Sequence, residues 1–241
     1  MQILQKLTIL LLLIFSALIN AQENNSGSIV LELFTSQGCS SCPSADKLLD
    51  NINQKHNPKN VITLSYHVDY WNRLGWKDPY SSPLFSDYQR NYATQFSSKS
   101  IYTPQLVING SEHFIGSNSY KTNIALKKYS KIKPETSIII KNVKRQNFTV
   151  VFDYTIKGES FNTITLALVV AERITSISQG ENRNRSIKNI NIVANRLVKK
   201  EKTGTASITI PNWIKEKDQL SIIAYTQKKS LKITGADKVT L

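Results

Sequence analysis

Cys39 and Cys42 lie three positions apart in the stretch Phe34-Thr-Ser-Gln-Gly-Cys-Ser-Ser-Cys-Pro-Ser-Ala-Asp46, and they are the chain's only cysteines. A Cys-x-x-Cys pair can exchange disulfides, hold a soft metal, or close a small structural loop. As a staple it does little, because so short a loop removes only about 2 kcal/mol of unfolded-state entropy. A 241-residue chain that is 40% hydrophobic can build its core without that help. For exchange chemistry, Cys39 is the expected attacking thiolate and the more exposed of the two, with Cys42 resolving the mixed disulfide. For metal chemistry, His67 would join Cys39 and Cys42 in a set suited to Cu(I) or zinc, and the protein would be a carrier. A third reading is a non-catalytic binding module whose disulfide is inert.

The elements around the pair favour exchange. Ser28–Phe34 is a β-branched and apolar run and reads as a strand. From Cys42 to Asn53, Ala45, Leu48, Leu49 and Ile52 repeat at helical spacing behind Pro43, which suits a helix start. Val61–Tyr66 reads as a second strand, parallel to the first across the helix. Cys39 then falls at the strand-to-helix turn and Cys42 in the first helical turn. Unpaired amides and the positive helix end stabilise a thiolate there. A helix from about Pro83 to Phe96, a hairpin of Gln105–Ile108 and Glu112–Ile115 around Asn109-Gly110, and a helix from Ser119 to Tyr129 complete an order β-α-β-α-β-β-α. Pro104 stands just before a strand, where a proline must precede the ladder as an ordinary trans bond or be cis.

Other residues near the pair carry two readings each. Glu32 is either a buried acid beneath Cys42, raised in pKa and able to shuttle its proton, or a solvent-facing strand glutamate. His67 and Asp69 end the second strand and are expected to order the following loop as a hydrogen-bonded pair. Tyr66, Tyr70, Trp71, Trp76, Tyr80 and Phe85 are expected mostly as core beneath that loop, or as an apolar floor for a protein substrate.

After Pro134 the pattern changes. Phe148, Val150, Phe152, Tyr154 and Ile156 alternate with more polar positions, and further short strand-like runs follow to Thr226. The expected architecture is an α/β domain over residues 27–134 followed by an all-β sandwich-like domain over residues 135–241. Residues 1–21 read as a signal peptide: Lys6, an apolar run Leu7–Ile19, then Ala21-Gln22. The run is short for a membrane span, and nothing later is apolar enough, so an exported, periplasmic or secreted protein without a membrane span is expected. Net charge is +14. Its basic side chains are scattered over the second half without interleaved aromatics, which argues against nucleic-acid binding.

The segments Val30–Asp46, His67–Trp76 and Tyr102–Gly110 together resemble the exported bacterial family catalogued as domain of unknown function 1223, and more broadly the thioredoxin superfamily. Gly180–Leu197 resembles that family's C-terminal part more loosely. The resemblance implies a thioredoxin-like first domain in which a cis-proline loop, Thr103–Pro104, packs against the cysteines and offers backbone to an extended substrate. It implies thiol–disulfide oxidoreductase chemistry without a cofactor, on cysteine-containing proteins or small thiols and with a redox partner protein. Site residues would be Cys39, Cys42, Thr103, Pro104 and Glu32, the last one residue further from the cysteines than the thioredoxin acid. Ser44 and Asn72 depart from the family's usual proline and aspartate.

Overall fold

A computed structural model describes residues 29–241; the signal-peptide expectation lies outside them. The chain runs β1 (Ile29–Thr35), α1 (Cys42–Lys55), β2 (Val61–His67), α2 (Pro83–Gln95), β3 (Gln105–Ile108), β4 (Glu112–Ile115) and α3 (Ser119–Tyr129). Seven strands follow: β5 (Ser137–Gln146), β6 (Thr149–Lys157), β7 (Thr163–Ser176), β8 (Ser186–Lys199), β9 (Thr203–Thr209), β10 (Leu220–Gln227) and β11 (Ile233–Thr240).

The local expectations have identifiable causes. Helix α1 begins with Pro43 in its first turn and buries Ala45, Leu49 and Ile52 as one stripe. Strands β1 and β2 pair in parallel, Ile29 with Val61 through Thr35 with His67. β3 runs antiparallel to β1, and β4 antiparallel to β3. The β3–β4 connection places Asn109 at φ 48° and Gly110 at φ 58°, a left-handed pair in a tight turn closed by Ser111 N on Ile108 O at 2.9 Å. A side chain at Gly110 would also meet the Leu231 carbonyl at 2.0 Å, so that turn abuts the β10–β11 hairpin.

The larger architecture differs from expectation. A thioredoxin-like α/β domain followed by an all-β sandwich-like domain is not what forms. Eight strands make one mixed sheet in the order β11-β10-β7-β8-β2-β1-β3-β4, and β5-β6-β9 make a second, three-stranded sheet. The described residues are mostly β, with three short helices. The junction is β2 against β8, bridged at Ser65–Ile192. The reason is burial: every residue of β2 is buried, so its outer edge cannot be left to solvent, and β8 closes it. Alternation along a strand shows which side chains face a core but not which strand lies beside it.

Three cores result. Leu31, Leu33, Leu106 and Ile108 pack against α1 and α3 on one face of the large sheet. Val30, Phe34, Ile62, Leu64 and Tyr66 pack on the other face against α2, together with Val169, Val193, Ile223 and Tyr225 from the later strands. The small sheet packs on β7, β8 and β10 through Phe152, Tyr154, Ile208, Leu166, Leu168 and Ile222. No helix among the described residues is long and apolar enough to cross a membrane.

Candidate functional site

Cys39 and Cys42 are joined by a disulfide across the β1–α1 turn, with Cα atoms 5.4 Å apart. The turn is tight: Cys39 N donates to Ser36 O and Cys42 N to Cys39 O, both at 3.2 Å. Gly38 allows a close approach, since a Cβ there would lie 3.2 Å from Trp71 Cβ. Ser41 caps α1 without a side-chain hydrogen bond, and its hydroxyl lies 3.4 Å from Cys39 Sγ. Cys39 was expected to be the more exposed sulfur. Instead both cysteines are 0% exposed, while Ser40 and Ser41 between them face solvent.

A segment from the far half of the chain lies beside Cys39. In the β7–β8 connection, Asn182 Nδ2 donates to Gln37 O at 2.9 Å and to Cys39 O at 2.8 Å. Ser40 N donates to Glu181 Oε2 at 3.0 Å, and Arg185 Nη1 steadies Asn182 Oδ1 at 3.0 Å. Asn182 is itself fully buried. Sequence reasoning assigned these residues no role; the only signal was the family-like tract beginning at Gly180.

The Thr103–Pro104 bond is cis, as expected. Trp71 ties this loop to the cysteine turn: its Nε1 donates to Thr103 Oγ1 at 2.8 Å, and its Cβ abuts Gly38. Pro104 lies near Ala45 of α1, for a Cβ at Gly116 would meet Ala45 at 3.1 Å and Pro104 at 3.3 Å. Trp76 reaches the turn through Gln37 Oε1, at 3.1 Å. The other aromatics are core. Tyr66 packs on Phe85 of α2, Tyr80 packs on Trp213, and Tyr70 bonds Gln89.

Glu32 is buried, but the structure does not bring it to the cysteines. Strand alternation puts it on the α2 face, opposite α1. It accepts there from Tyr88 at 2.8 Å, Tyr92 at 2.5 Å and Tyr225 at 3.0 Å. Arg196 lies 3.9 Å over the Tyr88 ring. Burial raises the Glu32 pKa against the pull of the three hydroxyls and the Arg196 charge.

On the α1 face the sequence pairing of His67 with Asp69 is replaced. His67 Nδ1 bonds Asp78 Oδ2 at 2.7 Å, whereas Asp69 takes the Ser86 hydroxyl at 2.5 Å. Asp78 also accepts from Gln37 N at 2.8 Å and Tyr80 N at 3.0 Å, fixing the loop after β2 against the cysteine turn. Asn72 contributes by accepting from Asp78 N at 3.0 Å. Burial pulls the His67 pKa down, but the charge and hydrogen bond of Asp78, with the charge of Asp46, raise it above its ordinary value. Asp46 itself, on α1, is buried and takes the Thr35 hydroxyl at 3.3 Å. Burial lifts its pKa from 3.8 to about 7.

For the alternative set of Cys39, Cys42 and His67, the two sulfurs are bonded to each other and His67 Nδ1 bonds Asp78, which leaves only its Nε2 open. Among the described residues no group of three or more His, Cys, Asp or Glu side chains is placed to hold a metal ion. The arrangement, one disulfide beside a buried cluster of ionisable groups, is compatible with disulfide exchange.

The same architecture exists elsewhere. The X-ray structure of protein AGR_C_4864 from Agrobacterium tumefaciens matches with a TM-score of 0.66 at 27% identity, covering 91% of this chain and 96% of that one. A β-glucosidase from Kluyveromyces marxianus aligns at a TM-score of only 0.21 and 10% identity, over 44% of this chain and 14% of its own, too little to bear on fold or function. No curated protein matches. The family model for DUF1223, proteins of unknown function, matches residues 30–227. That span runs from β1 through β10 and includes the cysteine turn, the cis-proline loop and the covering loop: the chain belongs to the DUF1223 family.

Proposed function

We propose that the protein is an exported thiol–disulfide oxidoreductase, released to the periplasm or beyond after loss of residues 1–21. Its substrates are cysteine-containing proteins or small thiols. The observation that carries this reading is the Cys39–Cys42 disulfide at a strand-to-helix turn. Beside it, Trp71 links the turn to the cis Thr103–Pro104 loop. In the reducing direction, the Cys39 thiolate attacks a partner disulfide and one partner sulfur leaves as thiolate. Cys42 then displaces the second, closing the Cys39–Cys42 bond, so two electrons pass from the dithiol to the partner. The oxidising direction is the reverse, and the pair's reduction potential selects between them. Thr103 and Pro104 are assigned the extended segment of the partner chain.

Cys42→Ser leaves Cys39 unable to be displaced, so it should accumulate mixed disulfides with periplasmic partners that dissolve on adding dithiothreitol. The wild-type potential should lie in the exchange range. A potential below roughly −300 mV together with an absence of mixed disulfides marks an inert staple and defeats the proposal.

A further inference from the structure

Behind the disulfide, four elements deliver polar side chains to one buried region whose hydrogen-bonding capacity is incompletely used. Asp46 stands four residues after Cys42, which puts the two side chains on one face of α1, with Cβ atoms about 5–6 Å apart at that spacing. Both residues are buried. Thr35 of β1 occupies Asp46 Oδ2, while Oδ1 closes no full hydrogen bond. His67 of β2 is anchored at Nδ1 by Asp78, and its Nε2 has no partner. Asn189 of β8 accepts from Gln37 Nε2 on its Oδ1 at 2.9 Å, and its amide approaches the Asp46 carboxyl, favouring the charged form, without closing a full hydrogen bond. Incompletely bonded buried polar atoms are costly. A loose Asp46–Asn189 contact beside an open His67 Nε2 suits a cluster that gains and loses a proton, because no fixed set of hydrogen bonds satisfies both states.

Resting on the oxidoreductase reading above, we infer that Asp46 handles the proton of the resolving cysteine, Cys42, and that the Asp78–His67 pair positions and tunes the Asp46 carboxylate. When a partner is held on Cys39, the Cys42 thiol gives its proton to ionised Asp46. The Cys42 thiolate attacks Cys39 Sγ, the Cys39–Cys42 bond forms, and the Cys39–partner bond breaks. The partner sulfur leaves with the electron pair and takes a proton from water, while Asp46 keeps the one it received from Cys42. In the opposite direction, protonated Asp46 returns its proton to Cys42 as the disulfide opens.

The surroundings suit that task. A carboxyl poised near neutrality is matched to proton transfer at working pH, and burial brings Asp46 to about 7. The ionisable groups acting on it are His67, which favours its charge, and Asp78, which opposes it. Thr35 and Asn189 face it with neutral groups. Further along α1, Asp50 pairs with Lys188 of β8 at 3.1 Å, and Lys188 also meets Glu172 of β7 at 3.2 Å. Glu32 and Arg196 lie across the sheet.

The test uses the full mature chain, reduced, and dithiobis-nitrobenzoate as the probe disulfide. Release of the second nitrothiobenzoate reports Cys42 resolving the mixed disulfide on Cys39. In the wild type this step should rise with pH through an inflection near neutrality. In Asp46→Asn the inflection should vanish and the step should slow by about 10²-fold, the usual scale of one proton-transfer group. Asp46→Glu should restore part of the rate, and His67→Gln should move the inflection to higher pH. A wild-type profile in Asp46→Asn, within threefold in rate, overturns the inference. A second measurement needs no variant: the infrared difference spectrum of wild-type protein between oxidised and reduced states should contain a protonated-carboxyl band. A spectrum without it overturns the inference even where Asp46→Asn does not fold. Failure to trap protein partners, by contrast, counts against the oxidoreductase reading and leaves the small-probe result standing.

Discussion

Glu32 and Asp46 are both buried acids, yet each is satisfied differently. Glu32 meets three tyrosine hydroxyls and the field of Arg196, so its charge has compensation within its own core. Asp46 has one hydroxyl bond and only a loose approach by the Asn189 amide. Its pKa, raised from 3.8 to about 7, has a consequence for stability. Between those values the native state keeps a proton that the unfolded state has lost, so stability is greatest at the acid end and falls as pH rises toward 7. Full burial sets an upper limit of about 4 kcal/mol on that fall. His67, also raised, acts in the same sense: it favours the native state below its ordinary 6.5 and loses that advantage as it deprotonates at higher pH. Urea titrations from pH 4 to 8 should therefore show a declining unfolding free energy, flattened in Asp46→Asn. A rise across this window in the wild type would contradict the assigned direction. The signal for Asp46 was present in the sequence, since it falls on the turn carrying Ala45 and Leu49. What the sequence lacked was the position of His67 and Asn189 around it.

At the scale of elements, the cysteine turn was legible and its cover was not. Strand β1, Pro43 and the apolar stripe of α1 locate Cys39 and Cys42 from local pattern alone. The β7–β8 connection that touches Cys39 lies more than 140 residues away along the chain, and nothing in its Asn- and Arg-rich composition names a partner. Because Asn182 bonds two carbonyls of the turn, its amide contributes about 1–3 kcal/mol to holding the cover closed, at the usual worth of a hydrogen bond. Asn182→Ala should speed reduction of the Cys39–Cys42 disulfide by dithiothreitol about tenfold or more, with stability kept by the large sheet. An unchanged rate would show that access to the sulfurs is governed elsewhere, by Trp71 or the Thr103–Pro104 loop.

The whole molecule is organised by the sheet that both halves share. Residues 29–134 contain β1 to β4 and all three helices, but their β2 edge is covered by β8 and their α2-face core is completed by Val169, Val193, Ile223 and Tyr225. Expressed alone, a 29–134 fragment should bind hydrophobic dye and lack a cooperative melt, whereas the 29–241 chain should unfold in a single transition by near- and far-ultraviolet circular dichroism. A fragment with its own sharp melt would show that the shared sheet is not needed for the first half to fold. The sequence by itself determined the elements that rest on neighbours in the chain: the helix after the cysteines, the parallel β1–β2 pairing and the Asn109-Gly110 hairpin. Periodicity and turn chemistry are local, so these were readable. Only the tertiary structure decided that β8 continues the first sheet, that Glu32 turns away from Cys42 while Asp46 faces the cluster behind it, and that Asn182 lies over Cys39. Those outcomes depend on which buried edge and which face are left to be covered, a requirement set by long-range packing that no single stretch of sequence encodes.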